Sequence, residues 1–146
     1  MSDWKVLLVD DEKDFWEDLY DRLSVVFGKM NVLIASSGEE ALQILKNQPI
    51  GVILSDQRMP GVSGHELLEE VSRRWPDVVR ILLTAFPDIR SAKDSVNKGE
   101  IYQYVSKSTS LSEIESLVKS GLQKFESDEK TSAFEGKTGV FEKALY

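Results

Sequence analysis

The 146-residue sequence has no cysteine, a single histidine and only four prolines. Without thiols there is no disulfide framework and no thiolate metal site. One imidazole, His65, excludes His-rich zinc centres and any mechanism that needs two. Standing at the start of an expected helix, it reads as a solvated surface residue. No apolar run is long enough to cross a bilayer, and Met1-Ser2-Asp3-Trp4 lacks the basic-then-apolar pattern of a secretory leader. No membrane partner is expected, and the cytoplasm is the expected location. Basic residues are also in the minority, 18 against 25 acids for a net charge of −7. That is the reverse of a nucleic-acid binder's electrostatic footprint, so no direct nucleic acid binding is expected.

What is present is an ordinary globular balance, 41% hydrophobic and 29% charged, at the length of one domain. Short aliphatic runs at 5–9, 31–35, 51–55, 78–83 and 101–105 read as strands covered on both faces. Helical spacing separates them. Phe15, Leu19, Leu23 and Val26 form one stripe, closed by Gly28. Ala41, Leu42 and Leu45 form a second, with Ser36 and Ser37 opening two overlapping capping boxes to Glu39 and Glu40. Leu67, Leu68, Val71 and Trp75 mark a third helix, stopping before Pro76. A thin stripe of Ile89, Ala92 and Val96 marks a lightly anchored helix over 88–98, ended by Gly99. The last runs through Leu111, Ile114, Leu117, Val118, Leu122 and Phe125, with Ser110 as N-cap. Five alternating strand–helix units predict an α/β fold, a doubly wound parallel sheet with right-handed crossovers. Ligands of such sheets bind just beyond the carboxyl ends of the strands.

Those ends carry Asp10, Asp11 and Glu12 after the first strand, Asp56 after the third, Thr84 after the fourth and Lys107 after the fifth. Single acids at strand ends are commonly turn or cap residues; the whole set on one edge is a different matter. Packed carboxylates raise each other's pKa unless a cation sits among them. A few oxygen ligands with room for water suit Mg²⁺ better than zinc or caged calcium. Magnesium with open positions holds phosphoryl groups, and Thr84 and Lys107 supply a hydroxyl and a cation for phosphoryl oxygens. The candidate nucleophile is a carboxylate.

"VLLVDDE", "ILSDQRMPGVSG", "ILLTAF" and "YQYVSK", in this order, make the chain resemble the receiver domains of two-component response regulators from about Lys5 to Phe125. The resemblance implies a flavodoxin-like (βα)5 sandwich with strand order 2-1-3-4-5. Residues 1–126 would be the receiver domain and 127–146 a C-terminal tail or linker. It implies that Asp56 takes a phosphoryl group from a sensor histidine kinase or phosphotransfer protein in a phosphorelay, and that the domain controls a downstream output domain or protein. Asp11, Asp56 and the main-chain carbonyl of Arg58 would ligate Mg²⁺, with Asp10 acting mainly through water. Thr84 and Lys107 would hold the phosphoryl oxygens, and Tyr104 would be the aromatic switch coupled to Thr84. Such a chain is a signalling switch and not a metabolic enzyme.

Three features qualify the match. Receivers usually follow the lysine with a cis proline, whereas this chain has Ser108; a trans bond is expected, because cis costs about 2.5–4 kcal/mol without proline. Bulky Arg58 and Phe86 stand at the positions that flank the phosphoryl site and are expected to shield it. In 127–146, Glu135-Gly136-Lys137 and Gly139 interrupt helical period, so a flexible linker is expected. Carboxylate-nucleophile phosphatases and phosphotransferases need an acid two residues after the nucleophile, where Arg58 stands. A flavin carrier would find its phosphate repelled by Asp10, Asp11 and Glu12. A receiver-like docking module that takes no phosphate remains the alternative.

Overall fold

The structure is a computed structural model and describes residues 4–85 and 101–138, without the side chains of Phe15 and 129–138. Five strands, β1 (Lys5–Val9), β2 (Val32–Ala35), β3 (Ile50–Asp56), β4 (Val79–Thr84) and β5 (Gln103–Ser106), form one sheet. Every pairing is parallel and the order is β2-β1-β3-β4-β5, the doubly wound, flavodoxin-like arrangement expected. The helices among the described residues are α1 (Lys13–Phe27), α2 (Gly38–Asn47), α3 (Gly64–Arg74) and α4 (Leu111–Thr138). The expected helix over 88–98, with Ile89, Ala92, Val96 and Gly99, lies outside the described residues, as do Phe86 and 139–146.

Alternate residues of each strand feed two separate cores. Val6 and Leu8 meet Leu19 and Leu23 of α1 and Ile114, Val118 and Phe125 of α4. Leu7 and Val9 meet Ala41 and Leu45 of α2 and Leu67, Leu68 and Val71 of α3. All seven residues of β3 are buried, which is why the strands read as unbroken apolar runs. Each large side chain so buried contributes roughly 1.5–3 kcal/mol. No helix among the described residues is long and apolar enough to cross a membrane.

Several boundaries differ from the sequence reading. Val26 is 39% exposed, because the stripe of α1 continues from Leu23 in a step of four to Phe27, which packs on the core. Val78 and Ile101 are buried yet precede the ladders of β4 and β5, so burial extends beyond hydrogen bonding. Asn31 closes a short 3₁₀ turn, Lys29–Asn31, instead of opening β2.

The largest difference is at the end of the chain, where α4 continues through Gly136 to Thr138. No backbone break falls at the boundary expected after 126. A helix already nucleated and docked propagates at little expense, and one internal glycine costs only about 1 kcal/mol relative to alanine.

Candidate functional site

The carboxyl edge of the sheet is where the buried polar residues collect: Asp10, Ser55, Asp56 and Thr84 are each no more than 4% exposed. Asp56 is the last residue of β3 and Thr84 the last of β4. Asp10 follows β1, its amide donating to Ala35 O at 3.1 Å. Lys107 follows β5, and its amide donates to Thr84 O at 2.8 Å, which extends the ladder far enough to aim the side chain back over the edge.

The Lys107 ammonium lies 3.0 Å from Asp10 Oδ2 and 3.2 Å from Asp56 Oδ1. Glu12 Oε1 accepts from it at 3.3 Å. Asp11, Glu12, Asp56, Arg58, Thr84, Ala85 and Lys107 line a cavity of about 280 Å³. The structure thus brings Asp11, Asp56, Arg58, Thr84 and Lys107 around one space, with Asp10 beside it. Tyr104 does not line it; half-buried on the edge strand β5, it packs against the core shared with α2 and α3. His65 is partly buried in the first turn of α3 instead of fully solvated.

Burial is the main influence on the two enclosed acids and pushes both carboxyls above the ordinary carboxylate value. On Asp10 it outweighs the Glu12 amide and the Lys107 ammonium. On Asp56 it outweighs Lys107 and the main-chain amides of Gln57 and Arg58. For Lys107, burial disfavours the charge, but Asp10 and Asp56 prevail and hold the ammonium above its usual value.

A single lysine does not saturate this site. Carboxylate oxygens of Asp10, Asp11 and Asp56 lie within 4.8 Å of one another. Asp10 Oδ2 is buried and has the ammonium, 3.0 Å away, which it shares with Asp56 and Glu12. An all-oxygen, acidic donor set whose carboxylates outnumber the one ammonium among them is suited to a hard divalent cation.

Ser108 leaves this geometry intact. No peptide bond among the described residues is cis, so Lys107–Ser108 is trans, as expected. Ser106 braces the turn, its Oγ accepting the Ser108 amide at 3.1 Å and lying 2.8 Å from Ser108 Oγ.

One contributor acts differently from the sequence reading and two escaped it. Glu12, placed with the acids after the first strand, is the N-cap of α1 without a side-chain cap bond and reaches Lys107. Ser55 donates its hydroxyl to Asp56 O at 2.9 Å. Gln57 accepts the His65 amide on its side chain at 2.8 Å. A hydroxyl or amide next to a key acid carries no distinctive pattern, so no local signal marks the last two.

Comparison with known proteins agrees with this geometry. The family model described as the response regulator receiver domain matches residues 6–119. The chain is 45% identical over 102 residues to the hydrogenase transcriptional regulatory protein HoxA of Cupriavidus necator, covering 70% of this chain and 20% of that protein. It is 34% identical over 95 residues to the response regulator protein FleR of Pseudomonas aeruginosa, covering 65% of this chain and 20% of that one. It therefore spans about a fifth of the length of these relatives. Among solved structures, an adenylate cyclase from Rhodopirellula baltica superposes with a TM-score of 0.81 at 31% identity, covering 95% of this chain and 100% of that one. The signal receiver domain of an HD domain-containing protein from Pseudomonas fluorescens Pf-5 gives 0.75 at 27% identity, covering 89% and 95%. With the family's model spanning most of its length and the acids, threonine and lysine gathered at one sheet edge, the chain belongs to the response regulator receiver domain family.

Proposed function

We propose that the domain is a phosphorylation-dependent switch in which Asp56 is the phosphoacceptor, Mg²⁺ the cofactor, and a sensor histidine kinase or phosphotransfer protein the donor. The observation that carries this reading is the buried Asp56 carboxylate 3.2 Å from the Lys107 ammonium, on the wall of a cavity shared with Asp11 and Thr84.

Asp11, Asp56 and the carbonyl of Arg58 would hold the Mg²⁺, with Asp10 supporting it through water. When bound, the ion neutralises the clustered acids and screens the phosphoryl oxygens from the nucleophile. An Asp56 oxygen attacks phosphorus, the bond to the donor's imidazole nitrogen breaks, and an aspartyl phosphate results. Lys107 and the Thr84 hydroxyl meet the phosphoryl oxygens as charge is redistributed. Thr84 drawn towards the phosphate and Tyr104 turning on β5 constitute the switch, read by an output domain or protein. Arg58, exposed and part of the cavity lining, shields the acyl phosphate.

The domain is a cytoplasmic signalling element, not a metabolic enzyme, and does not bind nucleic acid directly. Incubating the full chain with Mg²⁺ and a small phosphodonor adds one phosphoryl mass to the parent and none to Asp56→Asn by intact mass spectrometry. No added mass on the parent would leave the docking module as the correct reading.

A further inference from the structure

The first turn of α3 has four backbone amides that the helix itself cannot satisfy, and two of them end on one residue. The Gly64 amide donates to the Gln57 main-chain oxygen at 2.9 Å. The next amide, of His65, donates to Gln57 Oε1 at 2.8 Å. The other two belong to Ser63 and Glu66: Glu66 N donates to Ser63 Oγ at 3.2 Å, while Leu67 N makes the first bond of the helix itself, to Ser63 O at 2.9 Å. The Ser63 amide donates to Glu66 Oε1 at 3.0 Å, completing a capping box. So Ser63 caps the helix locally, while Gln57 ties it to the residue that follows Asp56.

The tie is close. A Cβ on Gly64 would stand 2.0 Å from Asp56 O and 2.9 Å from Gln57 Cα, so the helix start rests directly on the backbone of the phosphoacceptor. Leu67, Leu68 and Val71 fix α3 in the core at no measurable exposure, making it a rigid support. On the other side the Gln57 amide donates to Leu83 O at 2.9 Å. Gln57 therefore joins β4, the end of β3 and α3 at the point where the chain turns over the cavity towards Arg58.

We infer that Gln57 is a positioning residue: its side-chain oxygen, by holding the His65 amide, fixes the peptide units between Asp56 and Arg58 against α3 and so sets the cation-binding geometry of the site. This rests on the reading of Asp56, Asp11 and the Arg58 carbonyl as the cation's ligands. Groups that orient metal ligands without touching the metal are worth about 10- to 100-fold in affinity, and a single neutral bond belongs at the lower end.

The test titrates Mg²⁺ into the full chain by calorimetry and records metal-free thermal melts of the same proteins. Gln57→Met keeps the size and removes the acceptor; Gln57→Glu keeps an accepting oxygen. Ser63→Ala removes a hydrogen bond from the same helix turn without a link to Asp56, and controls for loss of helix stability. The expected result is Mg²⁺ binding about tenfold weaker in Gln57→Met, at least parental in Gln57→Glu, and close to parental in Ser63→Ala despite a similar fall in melting temperature. Equal weakening in Gln57→Met and Ser63→Ala, parental binding in Gln57→Met, or no rescue by Gln57→Glu overturns the inference while leaving the phosphoacceptor reading standing. A parent protein that takes up no Mg²⁺ overturns both.

Discussion

At the amino edge of the sheet, Trp4, Pro49, Ile50, Trp75, Pro76, Val78 and Phe125 help to line a cavity of about 360 Å³. At the carboxyl edge the lining is two acids from the first loop, Asp56, Arg58, Thr84, Ala85 and Lys107 around about 280 Å³. The same strands enter both. At the amino edge the enclosed groups are largely apolar: Trp4 and Phe125 meet edge to face with centroids 4.7 Å apart, an arrangement that adds to burial. At the carboxyl edge the enclosed groups are charged, and burial disfavours their ionised forms. The amino edge is a place of apolar packing, whereas the carboxyl edge holds acids whose charge burial disfavours.

The largest test of that division is Phe125→Ala, expected to lower unfolding free energy by about 3–5 kcal/mol. Urea denaturation measures it, and Mg²⁺ titration well below the melting temperature should be unaffected. A parallel loss of Mg²⁺ binding would show that the edges are not separable.

Next in size, Mg²⁺ at a hundred times its dissociation constant should stabilise the parent by about 2.7 kcal/mol. The gain should be largely absent in Asp56→Asn. An equal gain in both proteins would place the cation elsewhere.

Without metal, Asp56→Asn should raise stability near neutral pH, since a carboxyl held above its ordinary pKa by burial disfavours the fold once it is ionised, and Lys107 keeps Asp10 and Glu12 as partners. The pH dependence has a definite sign. Asp10 and Asp56 have folded-state pKa values above their unfolded ones, so the native state holds protons the unfolded state has released. Their contribution is complete below the unfolded value and is lost as pH rises through the raised folded value. Metal-free melts across the acidic range should show this decline, shallower in Asp56→Asn; a steeper decline in the variant would contradict it.

The smallest effect belongs to the exposed Lys124–Asp128 pair, 2.8 Å apart on α4. Lys124→Ala should change stability by no more than about 0.5 kcal/mol. A larger change would make the amino edge more dependent on charge than its apolar lining implies.

Architecture and acids were legible because both follow from the chain's local order. Parallel strands write themselves as apolar runs, and their carboxyl ends name the loops to inspect. Ladder limits were less legible, because Val78 and Ile101 are buried for packing and not for pairing. Val26 was misplaced because steps of three and four look alike until the partner surface is known, and Phe27 took that place. Gln57 and Gly64 were invisible for a different reason. They act on backbone groups brought together by α3 docking, and no residue pattern in the loop encodes that contact. The course of α4 beyond 126 was obscured by reading Gly136 as an obstacle when it is only a weak point.

That continuous helix also has a mechanical meaning. Its 28 residues make a rod roughly 42 Å long at 1.5 Å per residue. From Phe125, the last core anchor among the described side chains, the stretch to Thr138 measures about 20 Å. A pivot of about 10° at the sheet would therefore sweep Thr138 through about 3 Å, a lever at that helix rise that turns a small adjustment beneath Ile114 and Val118 into a displacement as large as a hydrogen bond is long.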